Sequence, residues 1–295
     1  LTKIRARAAA GLAFAALAWT SIAAAQSPRP ADVPSLPEAG RVLLKLETGW
    51  YRPGSFVTSE GDEQDLFGHP DFVLATLRAS WSPLRRLAVG VEIPYRYTSL
   101  PVPDASALTA KGVPGAGVFV DWAPFESSKL RSALRAEYFH SSNAGDEAVT
   151  ISDGSDRYSV NASVFSAPGA DAPAWRGGAH AGAGYAPGRG GGESNGSFVE
   201  WEVDLRFGRR IARVGGADLA ALALGGYAFS TESHQEGLVL HDLKARRALG
   251  GVVIQMDWPG GGSTPGSLVV IVERDLAARN SLSGWRLTAT WTGQF

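Results

Sequence analysis

Near the middle of this 295-residue chain, His140 and Ser142 stand two apart in the run Ala136-Glu137-Tyr138-Phe139-His140-Ser141-Ser142-Asn143-Ala144-Gly145-Asp146-Glu147. Residues two apart on a strand project from one face, close enough for an imidazole to meet a hydroxyl. That is the pairing nucleophilic catalysis uses: histidine takes the serine proton while a third polar group orients the ring. Asp156, opening the next strand-like run in Asp156-Arg157-Tyr158, is the candidate third member. The plainer reading of the same residues is a polar strand end turning into a loop, where His, Ser and Asn are common.

The elements that must carry these residues are strands. Leu287, Ala289, Trp291, Gly293 and Phe295 alternate with Arg286, Thr288, Thr290, Thr292 and Gln294. That is period-two patterning of a half-apolar strand, running to Phe295. Eleven earlier runs carry strand signals, near 41–51, 71–81, 86–97, 115–123, 129–142, 156–166, 175–186, 197–207, 217–229, 246–258 and 267–275. The cleanest sets Val199, Trp201, Val203, Leu205 and Phe207 against Glu200, Glu202, Asp204 and Arg206. Runs of that length suit tilted membrane strands. The expected fold is therefore all-β, a transmembrane antiparallel up-and-down barrel of twelve strands. The Gly/Ala-rich runs near 175–186 and 217–229 leave ten or fourteen as neighbouring counts. Long connections at 52–70, 98–114, 141–155, 187–196 and 230–245 would be extracellular, alternating with short periplasmic ones. Trp50, Trp81, Tyr95, Trp122, Trp258 and Trp285 fall near run ends, where interfacial girdles hold aromatic rings. Ordinary packing in a soluble β-sandwich is the alternative for these aromatics.

The chain's beginning reads as an export signal. Lys3, Arg5 and Arg7 precede an uncharged run from Ala8 to Trp19, and Ala23-Ala24-Ala25 offers small residues for cleavage. A retained anchor helix is the alternative, but the apolar core is short for a span. The organisation expected is a signal peptide over 1–25, a Pro-rich periplasmic linker over 26–40 and a barrel over 41–295. Without residues 1–25 the chain keeps 25 basic residues against 29 acidic ones, so nothing points to nucleic acid. There is no cysteine, which excludes disulfides and thiolate metal sites. Mean hydropathy near zero fits a barrel, because one strand face is polar and only the other meets lipid.

By parity, Glu200, Glu202 and Asp204 form an acidic row facing the lumen and Arg131 and Arg135 a basic one. Opposed rows would shape a transverse field in a hydrated pore, or neutralise one another in a plugged barrel. A twelve-strand pore would pass only small solutes. The acidic loop residues Glu60, Asp62, Glu63 and Asp65 read as solvated charge, and His69, His180, His234 and His241 lack metal-ligand spacing. Gly188-Arg189-Gly190-Gly191-Gly192 precedes no helix and reads as a loop rather than a phosphate cradle.

On the pattern ending at Phe295, the chain resembles Gram-negative outer-membrane β-barrels, whose C-terminal strand typically finishes on Phe. The resemblance implies residence in the outer membrane, contact with its lipids and recognition of that last strand by the barrel-assembly machinery. The run His140 to Gly145 also resembles H-x-S-N motifs of outer-membrane phospholipase A and of the lipid A 3-O-deacylase. It implies Ser142 as nucleophile, His140 as base and Asp156 as orienting group, on the wall at outer-leaflet depth. In those families the third residue is Asn or Glu, and the separation is two residues shorter. Such a hydrolase would take calcium; otherwise no cofactor is expected. The same run, with Gly145-Asp146-Glu147, resembles an uncharacterised outer-membrane family carrying H-x-S-x-x-G-D-E. The functional expectation is a small-solute channel or structural barrel, with lipid acyl-ester hydrolysis as the alternative.

Overall fold

The computed structural model describes residues 36–58, 60–66, 68–103, 105–141, 145–146, 149–150, 156–167, 174–187, 198–231, 245–258 and 266–295. Twelve long strands form the molecule: β1 Val42–Val57, β2 Asp71–Leu84, β3 Leu87–Leu100, β4 Gly115–Trp122, β5 Leu130–Ser141, β6 Arg157–Ser166, β7 Trp175–Ala186, β8 Phe198–Val214, β9 Ala217–Ser230, β10 Ala245–Trp258, β11 Gly266–Arg279 and β12 Ser281–Gln294. Each pairs antiparallel with the next, and β12 returns to β1 in register from Leu43↔Gln294 to Val57↔Ser281. Closure leaves the barrel no free edge. Among the described residues no helix is long and apolar enough to cross a membrane; the strands do the crossing.

The alternation read from the sequence sorts the two faces. Leu77, Val91, Val118, Val160, Leu205 and Phe207 point outward and are exposed, whereas Lys45, Glu47, Arg78, Glu92, Asp121 and Arg176 point inward and are buried. Apolar outside and polar inside is the inversion expected of a barrel in lipid. Large inward rings are seated opposite glycines. Phe119 of β4 lies across Gly90 of β3, and Phe165 of β6 across Gly178 of β7, each pair in direct register. A Cβ on Gly90 would fall 2.4 Å from Phe119 and 2.6 Å from the Ala79 carbonyl oxygen.

Two apolar clusters interrupt the polar interior. Tyr51, Phe56, Phe72, Leu100 and Leu282 pack inside the extracellular end on the β12–β3 side. Ala220, Leu222, Leu224, Val253, Val269 and Ile271 pack lower down on the β9–β11 wall.

Several boundaries differ from the sequence reading. β1 continues to Val57 and takes the short strand Glu63–Asp65 on its edge, and Leu108–Gly112 pairs back on β3. Both lie within stretches expected to be loops. β8 runs to Val214 through a bulge at Arg210/Ala212. β11 and β12 extend to meet at Asn280, in the left-handed region at φ 48°, so the last extracellular connection is a tight turn. Their tops rise because Phe56 and Val57 of β1 pair with Leu282 and Ser281, burying Leu282 in the upper cluster. The expected signal peptide at 1–25 lies outside the described residues, as do Ser142, His234, His241 and Gly188–Gly192.

Candidate functional site

At the extracellular end of β5, Leu134, Ala136, Tyr138 and His140 share the outward face. His140 is 67% exposed, and its Nδ1 lies 2.9 Å from Oδ1 of Asp156. The Tyr138 hydroxyl donates to Oδ2 of the same carboxylate at 3.0 Å, and the Ser141 amide donates to it as well. With Nδ1–H engaged by the carboxylate, Nε2 is the nitrogen left to accept a proton from outside the barrel. Partial burial pushes the Asp156 carboxyl up. Hydrogen bonds from Tyr138, His140 and Ser141, with the imidazole's charge, outweigh that and hold it below its ordinary value.

Of the two serines following His140, Ser141 is buried and faces inward, so it cannot serve the imidazole. Ser142, of matching parity, lies outside the described residues. The arrangement among the described residues is thus an imidazole on the outer wall oriented through Nδ1 by a carboxylate. Tyr138 leans on Tyr158 of β6 with ring centroids 5.2 Å apart, a pair of amphipathic rings suited to headgroup depth. Among the described residues no three His, Asp or Glu side chains gather in a metal-holding group.

The interior offers a second candidate. A cavity of about 100 Å³ lies among the extracellular halves of β2, β3 and β5–β10. Its walls carry both signs: Arg96, Arg157 and Arg247 against Glu137, Glu200 and Glu202. Deeper in the lumen, Arg78 bridges Glu92 at 2.7 Å and Glu47 at 3.5 Å, and Lys45 reaches Glu47 at 3.7 Å. His180 is fully buried, its Nε2 3.4 Å from Glu202. Asp204 takes a bond from Arg206 at 3.1 Å. Arg135 is held by both oxygens of Asp121, at 2.7 and 2.8 Å, and Arg131 by Glu126 at 3.3 Å. The two arginines are therefore engaged by their own acids, not aimed at the β8 carboxylates. Leu222, Val253 and Ile271, in direct register across β9, β10 and β11, are buried in the apolar cluster on the wall below.

Solved structures similar to this one include outer-membrane β-barrels. The COG4313 outer membrane channel from Pseudomonas putida F1 superposes with a TM-score of 0.67 at 15% identity, covering 90% of this chain and 99% of that one. The chain has the fold of outer-membrane β-barrels. The β domain of the Bordetella autotransporter BrkA gives 0.50 at 17% identity, over 87% and 100% of the two chains. LpxR from Salmonella typhimurium gives 0.42 at 9%, over 84% and 99%, a likeness too slight to bear on chemistry. No protein-family model and no curated protein matches the chain.

Sequence reasoning missed Tyr138 as a second donor to Asp156, although its signal was present: it shares parity with His140 two residues on. It also passed over four arginines on the outward face, Arg52, Arg246, Arg274 and Arg279, because only inward charges were collected.

Proposed function

We propose that this chain is an integral protein of the Gram-negative outer membrane that conducts small polar solutes through its lumen. The observation that carries the reading is the interior cavity with walls of both signs, set inside a closed barrel with an apolar exterior. Fixed charges of both signs replace part of the hydration of an ion or zwitterion entering a narrow space, which favours small charged solutes over apolar ones. Export through residues 1–25 and insertion by the barrel-assembly machinery acting on β12 belong to the same proposal. The test is planar-bilayer recording of the purified, folded barrel. Small, discrete conductance steps are expected. Glu200→Gln with Glu202→Gln should shift the reversal potential in a salt gradient towards anion preference. Absence of steps from folded protein, or an unchanged reversal potential in the variant, would overturn it.

A second reading rests on the His140–Asp156 pair at 2.9 Å on the outer wall. It is acyl-ester hydrolysis of phospholipid or lipid A at the outer leaflet, with Ser142 as nucleophile, His140 as base and Asp156 orienting the ring. The two readings occupy opposite faces of the wall, and one does not require the other.

A further inference from the structure

The outward face at the extracellular end of β10–β12 and β1 carries four arginines in a pattern that membrane burial alone does not account for. Arg246 of β10 and Arg279 of β11 are direct register partners, and both are exposed on the outer wall. Like charges directly opposite on a ladder repel one another. Arg274 of β11 and Arg52 of β1 flank Trp285 of β12 in register, and the Arg274 guanidinium lies 5.6 Å from the centre of that ring. Arg246 likewise sits 5.8 Å from the Phe229 ring. Among the described residues the one acid engaged on this face is Asp71. It takes the Trp50 indole N–H at 3.1 Å and lies 3.9 Å from Arg52. Among the described residues, Arg246, Arg274 and Arg279 form no ion pair with an acid.

Depth decides what these charges meet. From Trp258, at the periplasmic end of β10, to Arg246 is a climb of about 40 Å along the strand, and about 30 Å normal to the membrane once strand tilt is allowed for. That is roughly one hydrocarbon thickness. Arg274, opposite Gly250, lies about 10 Å lower beside Trp285, and Arg246 with its register partner Arg279 stands at the outer interface. There the dielectric is lower than in water, and two unshielded cations facing each other are correspondingly costly. An anion between them reverses the sign. Guanidinium forks match phosphate oxygens bidentately, and a phosphomonoester carries a charge of about −1.5 to −2.

We infer that this face binds a phosphorylated glycolipid of the outer leaflet, with Arg246 and Arg279 clasping one phosphate and Arg274 and Arg52 supporting the sugar–phosphate headgroup beside Trp285. The inference rests on residence in the outer membrane and is independent of conduction: the face lies on the opposite side of the barrel wall from the lumen. It is also remote from the His140–Asp156 pair on β5 and β6.

The experiment is a binding titration of the folded full-length barrel in detergent, read by native mass spectrometry. The probes are bisphosphorylated lipid A, its fully dephosphorylated counterpart, and inorganic phosphate alone. The expected result is saturable binding of the phosphorylated lipid and little binding of the other two. Arg246→Gln with Arg279→Gln should weaken it by about tenfold or more, since each lost charge-assisted contact is worth more than an ordinary hydrogen bond. Arg85→Gln with Arg86→Gln, at the periplasmic turn between β2 and β3, should bind as wild type does. Heat-modifiable gel mobility verifies that each variant is folded. Equal binding of the dephosphorylated lipid, undiminished binding by the folded double variant, or competition by inorganic phosphate at matched concentration would each overturn the assignment.

Discussion

Asp156 is the residue on which the outer-wall chemistry turns. Its carboxylate gathers three donors, from Tyr138, His140 and the Ser141 amide, so it is held below its ordinary titration range despite partial burial. A depressed carboxyl contributes its tether above the unfolded value and loses it as pH falls through the lowered one. The grip on the His140 Nδ1–H therefore persists across neutral and mildly acid solution and fails only in strong acid. On the hydrolase reading, fatty acid should be released from mixed phospholipid and lipid A micelles by wild type and not by Ser142→Ala or His140→Ala. Asp156→Asn should cost roughly 10²- to 10⁴-fold, as loss of a well-oriented base does. Tyr138→Phe, which leaves the imidazole contact in place, should cost far less. Failure of folded wild type to release fatty acid from either lipid, with or without calcium, would sink that reading.

At the scale of the strand, alternation carried most of the information. Val199 to Phe207 and Leu287 to Phe295 declare their faces by period two alone, and so the barrel was legible, including the parity that puts His140 outside. Bulges were not legible. The shift at Ala248/Leu249 turns the outward parity of β11 from Arg274 and Leu276 to Ala277 and Arg279, and nothing in the local pattern marks it. The tight turn at Asn280 was hidden too, because the tops of β11 and β12 are specified by pairing with β1 far away in sequence. Nor does a glycine within a strand state its purpose. Gly90 and Gly178 look like weak β positions, yet each is the floor beneath a ring on the neighbouring strand. Gly90→Ala would press a methyl onto Phe119 and the Ala79 carbonyl, and it should lower unfolding stability by about 1–3 kcal/mol. Urea unfolding of the barrel in micelles measures this. Phe119→Leu in the same chain should restore part of the loss, whereas a wild-type midpoint for Gly90→Ala would show that the ring is not seated as described.

For the molecule as a whole, the lumen holds a charged cavity among the extracellular halves of the strands, with buried side chains of two kinds beneath it. The two differ in character. Lys45, Glu47, Arg78 and Glu92 are joined by bridges of 2.7–3.7 Å, and removing Arg78, which bridges both glutamates, would leave two buried carboxylates with their main counter-charge gone. Leu222, Val253 and Ile271 fill their side of the lumen with branched side chains that make no directional bonds. Widening should therefore be sought on the apolar side, where truncation removes volume without orphaning charge. Leu222→Ala with Ile271→Ala should raise single-channel conductance while leaving the sign of ion preference to Glu200 and Glu202 above. The same pair of truncations should also lower barrel stability, since each removes buried methyl groups at a cost of about 2–5 kcal/mol before any relaxation. Comparison is therefore made among channels whose gel mobility shows a folded barrel. If conductance in the folded variant equals wild type, the limiting section lies instead in the Arg78–Glu92 network, and the solute path follows the charged side of the lumen throughout.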